Sequence, residues 1–428
     1  MNATNKKNYA LPIAMMFALF FMIAFVTGLQ NPMGVIVKNQ FGASNFLSQL
    51  GNFANFLAYA FMGIPAGLLL QKIGYKKTAL AAIAVGFTGV AITFLSGQVE
   101  NFGVYLLGAF VSGFSMCMLN TVVNPLLNAL GSNEKRGNQL LQFGGTLNSF
   151  GATIVPVLVG YLMGTDVTAR TIAKANPALF LAMGIFVLAF LVLFFVNIPE
   201  PHITVAKKVV KEKHSALSFR HFILGMIAIF IYVGVEVGIP NIGNLFMTAT
   251  PEKGGLGMDP AIAGTVVGTY WFLMLIGRLT GGLAGGKVSG KAMLTTVTLL
   301  ALVFVILGIF SPAGVMVNMP VFRSDISIGF AEVPLTIMFF VLTGLCTSVM
   351  WGSIFTLATS GLGKYTATAS GLFMVMVVGG GILPAVQGWF ADMSGYVTSY
   401  WIIVAGIAYM LFYALIGSKN VNKSIPVE

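Results

Sequence analysis

Only 8% of the 428 residues are charged and 57% are hydrophobic, whereas a soluble domain carries roughly a quarter charged residues, so a water-soluble enzyme is excluded. The apolar runs are long and continuous rather than alternating, which excludes a β-barrel. The net charge of +11 reads as membrane topology rather than nucleic-acid binding, because cytoplasmic loops collect Lys and Arg.

A crossing takes about 20 apolar residues. Twelve such runs can be marked, near 11–37, 46–70, 78–97, 102–130, 137–164, 177–197, 221–248, 260–286, 292–311, 334–361, 366–390 and 398–417. No small-residue cleavage site closes the first run, so the spacing predicts a retained helix there. Between spans 6 and 7 lies the most basic stretch, with Lys207, Lys208, Lys211, Lys213 and Arg220. It divides the chain into a six-helix bundle over 1–198, a linker over 199–220 and a second bundle over 221–428. With the N-terminus inside, 17 cations fall on the cytoplasmic side and 5 outside. The expected protein is therefore all-α and multi-pass, in an inner membrane, with both termini cytoplasmic. Cys117 and Cys346 both lie in apolar runs and read as small hydrophobes.

The halves repeat weakly. Gly67-Leu68-Leu69-Leu70-Gln71-Lys72 after span 2 is echoed by Gly282-Leu283-Ala284-Gly285-Gly286-Lys287 after span 8, and Lys76 by Lys291. Duplicated six-helix halves mark alternating-access transporters, with the site between them near the midplane.

The loop Gly67–Lys77 also resembles the span 2–3 signature of the major facilitator superfamily. Gly67, Gly74, Lys76 and Lys77 match it, while Gln71 stands where the signature has Asp. The resemblance implies a conformational clamp at this loop. Gly28-Leu29-Gln30-Asn31-Pro32, Asn124-Pro125, Asn148-Ser149-Phe150-Gly151 and Tyr232-Val233-Gly234-Val235-Glu236-Val237 resemble one branch, the fucose–galactose–glucose:proton symporter family. That resemblance implies two pseudo-symmetric bundles and uptake of a neutral sugar, of the hexose or deoxyhexose class, with a proton. Three positions depart from the branch. Asn31 and Asn120 replace acids that the resemblance ties to proton coupling and sugar binding, and Gly145 replaces a Gln.

The residues themselves point to a polar cavity. Span 4 carries Asn120, Asn124 and Asn128 on one helical face, and span 2 carries Asn52, Asn55 and Tyr59. Spans 1 and 5 add Asn31, Gln142 and Asn148. An amide facing lipid leaves donors and acceptors unpaired, at a cost of several kcal/mol, so these groups are expected to face inward. Each offers donors and an acceptor, a set that suits a ligand with many hydroxyls. Two readings stand for any one of them: lining a cavity, or joining helices. Tyr270 and Trp351 in the second half supply rings on which the apolar face of a sugar can stack. The substrate-binding set is thus Asn31, Asn52, Asn55, Asn120, Asn124, Gln142, Asn148, Tyr270 and Trp351.

Glu236 is the one acid at membrane depth. A carboxylate is costly there when ionised, which makes Glu236 a candidate for proton coupling; the other reading is a structural carboxylate bonded to a neighbouring helix. Of the three histidines, His202 and His214 sit in the linker and His221 directly follows it, and no phosphate loop, zinc spacing or nucleophile triad is present. No enzyme activity, metal, cofactor or nucleic-acid partner is expected. The expected partners are a sugar, a proton or sodium ion and the bilayer, with the chain a monomer. A facilitator or sodium-coupled carrier of a sugar or another polar solute is the alternative. A non-transporting sensor fits poorly, because the linker spans only 199–220 and no signalling domain follows.

Overall fold

Lipid offers no partners for backbone N–H and C=O groups, so apolar runs of this length must satisfy them internally and become helices. The computed structural model describes residues 9–41, 45–163, 172–201, 214–312, 314–323 and 325–427. The side chains of Asn31 and Asn52 lie outside the described residues, as does most of the basic linker. The first half comprises α1 Ala10–Phe41, α2 Asn45–Gln98, α3 Phe102–Leu130, α4 Glu134–Met163 and α5 Asn176–Phe195. The second comprises α6 Arg220–Thr248, α7 Pro260–Gly285, α8 Gly290–Ile309, α9 Leu335–Thr347, α10 Met350–Thr359, α11 Thr366–Val375, α12 Gly379–Ser394 and α13 Tyr396–Phe412.

Ten helical stretches among the described residues are long and apolar enough to cross a membrane. One, Phe53–Gln98, has 46 residues, about twice what a crossing takes. It breaks at Gly74, where φ is 86°, a left-handed angle that favours glycine. Thus α2 supplies the second and third predicted spans. Helix α4 corresponds to the fifth. Conversely α9 with α10, and α11 with α12, each make one crossing.

Within the first half α1 packs on α4, and α2 on α3 and α5; within the second, α6 packs on α12, α13 and α10, and α8 on α9 and α13. Two main seams join the halves, α4 against α7 and α11 against α2. The second seam is backbone to backbone. A Cβ at Gly371 would lie 2.7 Å from the Cα of Gly67 and collide with the carbonyl of Gly63.

One face of the molecule gathers the lysines, and they close helix ends there. Lys76 Nζ donates to Phe194 O at 2.8 Å, Lys135 Nζ to Lys287 O at 2.9 Å and Lys291 Nζ to Leu415 O at 2.9 Å. These carbonyls lie at or just beyond helix C-termini, which carry the negative end of the helix dipole. The break at Gly74 is closed by Glu200, whose carboxylate accepts from Tyr75 N at 2.6 Å and Lys76 N at 3.1 Å. It caps the new helix start as an N-cap side chain would, from the far side of α5.

The span prediction leaves residues 312–333 as a connection. The structure folds most of it into an antiparallel hairpin, β1 Met316–Phe322 with β2 Ile328–Pro334, pairing Pro320 with Phe330. Buried Met319, Val321 and Val333 alternate with exposed Asn318, Pro320 and Glu332, the period of a strand with one covered face.

Candidate functional site

A cavity of about 280 Å³ lies between the halves. Its first wall comes from α3 and α4, with Asn120, Gln142, Asn148 and Ser149; its second from α6, α7 and α10, with Glu236, Trp271, Arg278 and Trp351. Phe20, Phe56 and Tyr59 complete an apolar and aromatic surround.

The amides serve the cavity and the helix contacts at once. Asn120 Nδ2 donates to Tyr59 Oη at 2.9 Å and to Met116 O at 3.1 Å. Gln142 Nε2 donates across the seam to Val349 O at 3.0 Å, and Asn148 Nδ2 to Phe20 O at 3.2 Å. With their donors so engaged, the side-chain oxygens of Gln142 and Asn148 accept no hydrogen bond among the described residues. Acceptors facing a cavity suit hydroxyl donors.

Other predicted site residues stand behind the wall. Asn124 does not line the cavity. It is fully buried one turn from Asn120, donates to Asn120 O at 2.8 Å and to Asn120 Oδ1 at 3.2 Å, and accepts from Trp351 Nε1 at 2.9 Å. Residues four apart on a helix are neighbours, so these two amides bond each other instead of sharing a ligand. Asn55 is buried against α3, where its Oδ1 would meet a Cβ at Gly113 at 2.8 Å. Tyr270 also turns away from the cavity. Its hydroxyl donates to Glu236 O at 3.1 Å and pairs with Thr347 Oγ1 at 3.1 Å. That carbonyl lost its helical partner to Pro240, four residues on. Trp271, one residue along and so about 100° around the helix, takes the place in the cavity expected of Tyr270.

Glu236 is not a lone carboxylate. Arg278 Nη2 pairs with its Oε1 at 3.1 Å, and Tyr232 Oη donates to the same oxygen at 2.8 Å. Arg278 also donates to Ser348 O at 3.2 Å, Gly145 O at 3.3 Å and Ser149 Oγ at 2.7 Å. The guanidinium, carried by the second half, is thereby tied to the first. The signal was present in the sequence: a membrane arginine needs a partner, and Glu236 is the one acid at that depth. Gly145 matters to the arrangement, since a Cβ there would already lie 3.2 Å from Arg278 Cδ.

The remaining bonds between halves cluster toward the lysine-rich face. Gln139 Nε2 donates to Gly282 O at 2.8 Å, Asn128 Nδ2 to Thr359 Oγ1 at 3.3 Å, and Ser370 Oγ to Thr121 O at 3.1 Å. In the predicted clamp loop, Gln71 Oε1 accepts from Thr368 Oγ1 of α11 at 3.4 Å, Lys77 is exposed and Gly67 sits on Gly371. Among the described residues no hydrogen bond joins the halves beyond the cavity on the opposite side. The lysine-rich side is shut.

Residues 16–376 match the family model described as the Major Facilitator Superfamily. The chain belongs to that superfamily. It is a multi-pass membrane protein of a family of transporters, not of enzymes. It is 29% identical over 425 residues to a glucose/galactose transporter of Brucella abortus biovar 1 (strain 9-941), covering 97% of this chain and 96% of that one. It is 24% identical over 418 residues to the L-fucose-proton symporter of Escherichia coli (strain K12), covering 92% and 90%. In fold it is similar to a crystal structure of the superfamily transporter FucP in the outward conformation, with a TM-score of 0.81, 22% identity and coverage of 96% and 100%.

Proposed function

We propose that this transporter takes up a neutral sugar, of the hexose or deoxyhexose class, by alternating access across an inner membrane. In this reading 1–198 and 221–428 are the two rocking bundles and 199–220 is their cytoplasmic linker. Both termini are cytoplasmic, so the shut, lysine-rich side is the inner one, and the chain works as a monomer. The observation that carries the proposal is the cavity itself. Amide acceptors on one wall face tryptophans on the other, and its charged groups neutralise each other. The names of the relatives, glucose/galactose transporter and L-fucose-proton symporter, support the same class.

Glu236 favours a structural part over coupling in this proposal, because one carboxylate oxygen already holds Tyr232 and Arg278. With Asn31 and Asn120 also neutral, proton dependence is expected to be weak, and a facilitator or sodium-coupled carrier is the second reading. Uptake of labelled glucose, galactose and fucose into proteoliposomes, with and without proton or sodium gradients, tests both. If none of these sugars enters or exchanges, the proposal fails; accumulation driven by sodium alone selects the second reading.

A further inference from the structure

The hairpin β1–β2 has apolar residues on both faces. Its inner face is accounted for. Met319, Val321 and Val333 are buried; at the end of β1, Phe322 N donates to Thr269 Oγ1 of α7 at 2.9 Å, and the Phe322 ring, on the same side as its strand partner Ile328, stacks on Phe272 with centroids 4.4 Å apart. Its outer face and tip carry Met316, Ile326, Ile328 and Phe330, exposed by 44%, 55%, 69% and 64%; the exposed polar pair Asn318 and Glu332 lies on the same face toward the base of the hairpin, away from the tip. Pro320, which cannot donate to a further strand, lies opposite Phe330. Ile326 holds φ at 65°, an unusual cost for a β-branched residue at a turn. Glycine or asparagine would be the water-facing choice there.

We propose that this hairpin is a membrane-binding element whose outer face lies among the lipids of the leaflet opposite the lysine-rich face. Its depth follows from α7. Helix α7 has 26 residues, so it is about 39 Å long against a hydrocarbon core of about 30 Å. Thr269 lies about 14 Å along it from Pro260. Even if all the excess length projects on the hairpin's side, this contact falls inside the edge of the core. Its direction follows from the helix face. Thr269 and Phe272 share a stripe with Ile276, Leu279 and Leu283, which are exposed further along α7 and in a membrane protein face lipid. The hairpin lies on that stripe, away from Trp271 and the cavity. At the end of α8, Phe310 and Trp401 meet edge to face at 6.2 Å and are both exposed, an aromatic belt of the kind found at lipid headgroup level. Arg323 and Asp325, at the tip beside Ile326, supply polar groups that can reach the headgroups.

The test places a fluorophore on the outer face. Cys117 and Cys346 are both buried, so Phe330→Cys and, separately, Ile328→Cys each give one reactive site. The labelled full chain is reconstituted in phosphatidylcholine–phosphatidylglycerol vesicles, with nitroxide-bearing lipids or with aqueous iodide as quencher. A label at Glu252→Cys, in an exposed loop, serves as the aqueous control. The proposal expects nitroxide lipid to quench positions 328 and 330 several-fold more than position 252, with iodide showing the reverse order. Iodide quenching equal to that at position 252 would place the hairpin in water and overturn it. Disulfide-linked dimers formed rapidly by Phe330→Cys in the vesicles would show a second copy on this face, and would also overturn it.

Discussion

Trp351→Phe is the most informative single change, because it keeps a ring and removes one N–H. That N–H is the donor for Asn124 Oδ1 at 2.9 Å and spans the two halves. Asn124 is fully buried, and its own amide donors are engaged with Asn120. Its oxygen then has no other partner among the described residues. Leaving a buried acceptor unmade costs about 1–3 kcal/mol. The cost falls on the state that is shut at the lysine-rich face, because once the halves part, water can reach the oxygen. The equilibrium between the two states is therefore expected to move by about 5- to 150-fold toward opening at that face. Spin labels at Lys72→Cys and Ala292→Cys, both exposed there and on opposite halves, report the distance by double electron–electron resonance. The expected result is a new population at longer distance in Trp351→Phe without sugar. An unchanged distance distribution, in a variant that still folds, would refute the view that this bond holds the halves together.

Gly371→Val is expected to open the same face by a different route. A side chain there collides with the backbone at Gly63 and Gly67, and the same label pair is expected to lengthen. Asn120→Ala removes the bond that holds the Tyr59 hydroxyl at the cavity wall; hexose affinity by calorimetry is expected to fall about 5- to 150-fold, the equivalent of 1–3 kcal/mol. Glu236→Gln keeps an oxygen for Tyr232 and Arg278 but loses the charge. Counterflow exchange is expected to persist, and loss of proton-driven accumulation alone would make Glu236 the coupling acid after all. Glu200→Ala strips the cap from Tyr75 and Lys76 and is expected to cost about 1 kcal/mol, seen as earlier thermal unfolding in detergent.

The spans were legible because lipid leaves an apolar run few alternatives to a helix, and even the break in α2 falls at Gly74, inside a motif visible in the sequence. The hairpin was not legible in that way. Its strands are short, and what orders them is the flank of α7, which is far away in sequence. The site divided along the same line. Gln142 and Asn148 reach the cavity, as their residue type and depth suggested. Asn124 shares a helical face with Asn120, but a face is wider than a cavity wall, and the tighter bond was to its own neighbour. Tyr270 and Trp271 stood side by side in the chain, and only the rotation of α7 decides which ring faces inward. The partnership of Glu236 with Arg278 needed nothing but the cost of unpaired charge, applied to both residues at once.

That partnership bears on how the carrier senses voltage. Glu236 and Arg278 are the charged side chains lining the cavity among the described residues, and as a pair they carry no net charge. Moving a unit charge across the membrane field is worth about 2.3 kcal/mol per 100 mV. A cavity that reorients with the pair intact and a neutral sugar inside moves none, so its cycle is indifferent to membrane potential. A proton on Glu236 would leave Arg278 uncompensated, and that loaded step alone would be driven by the field.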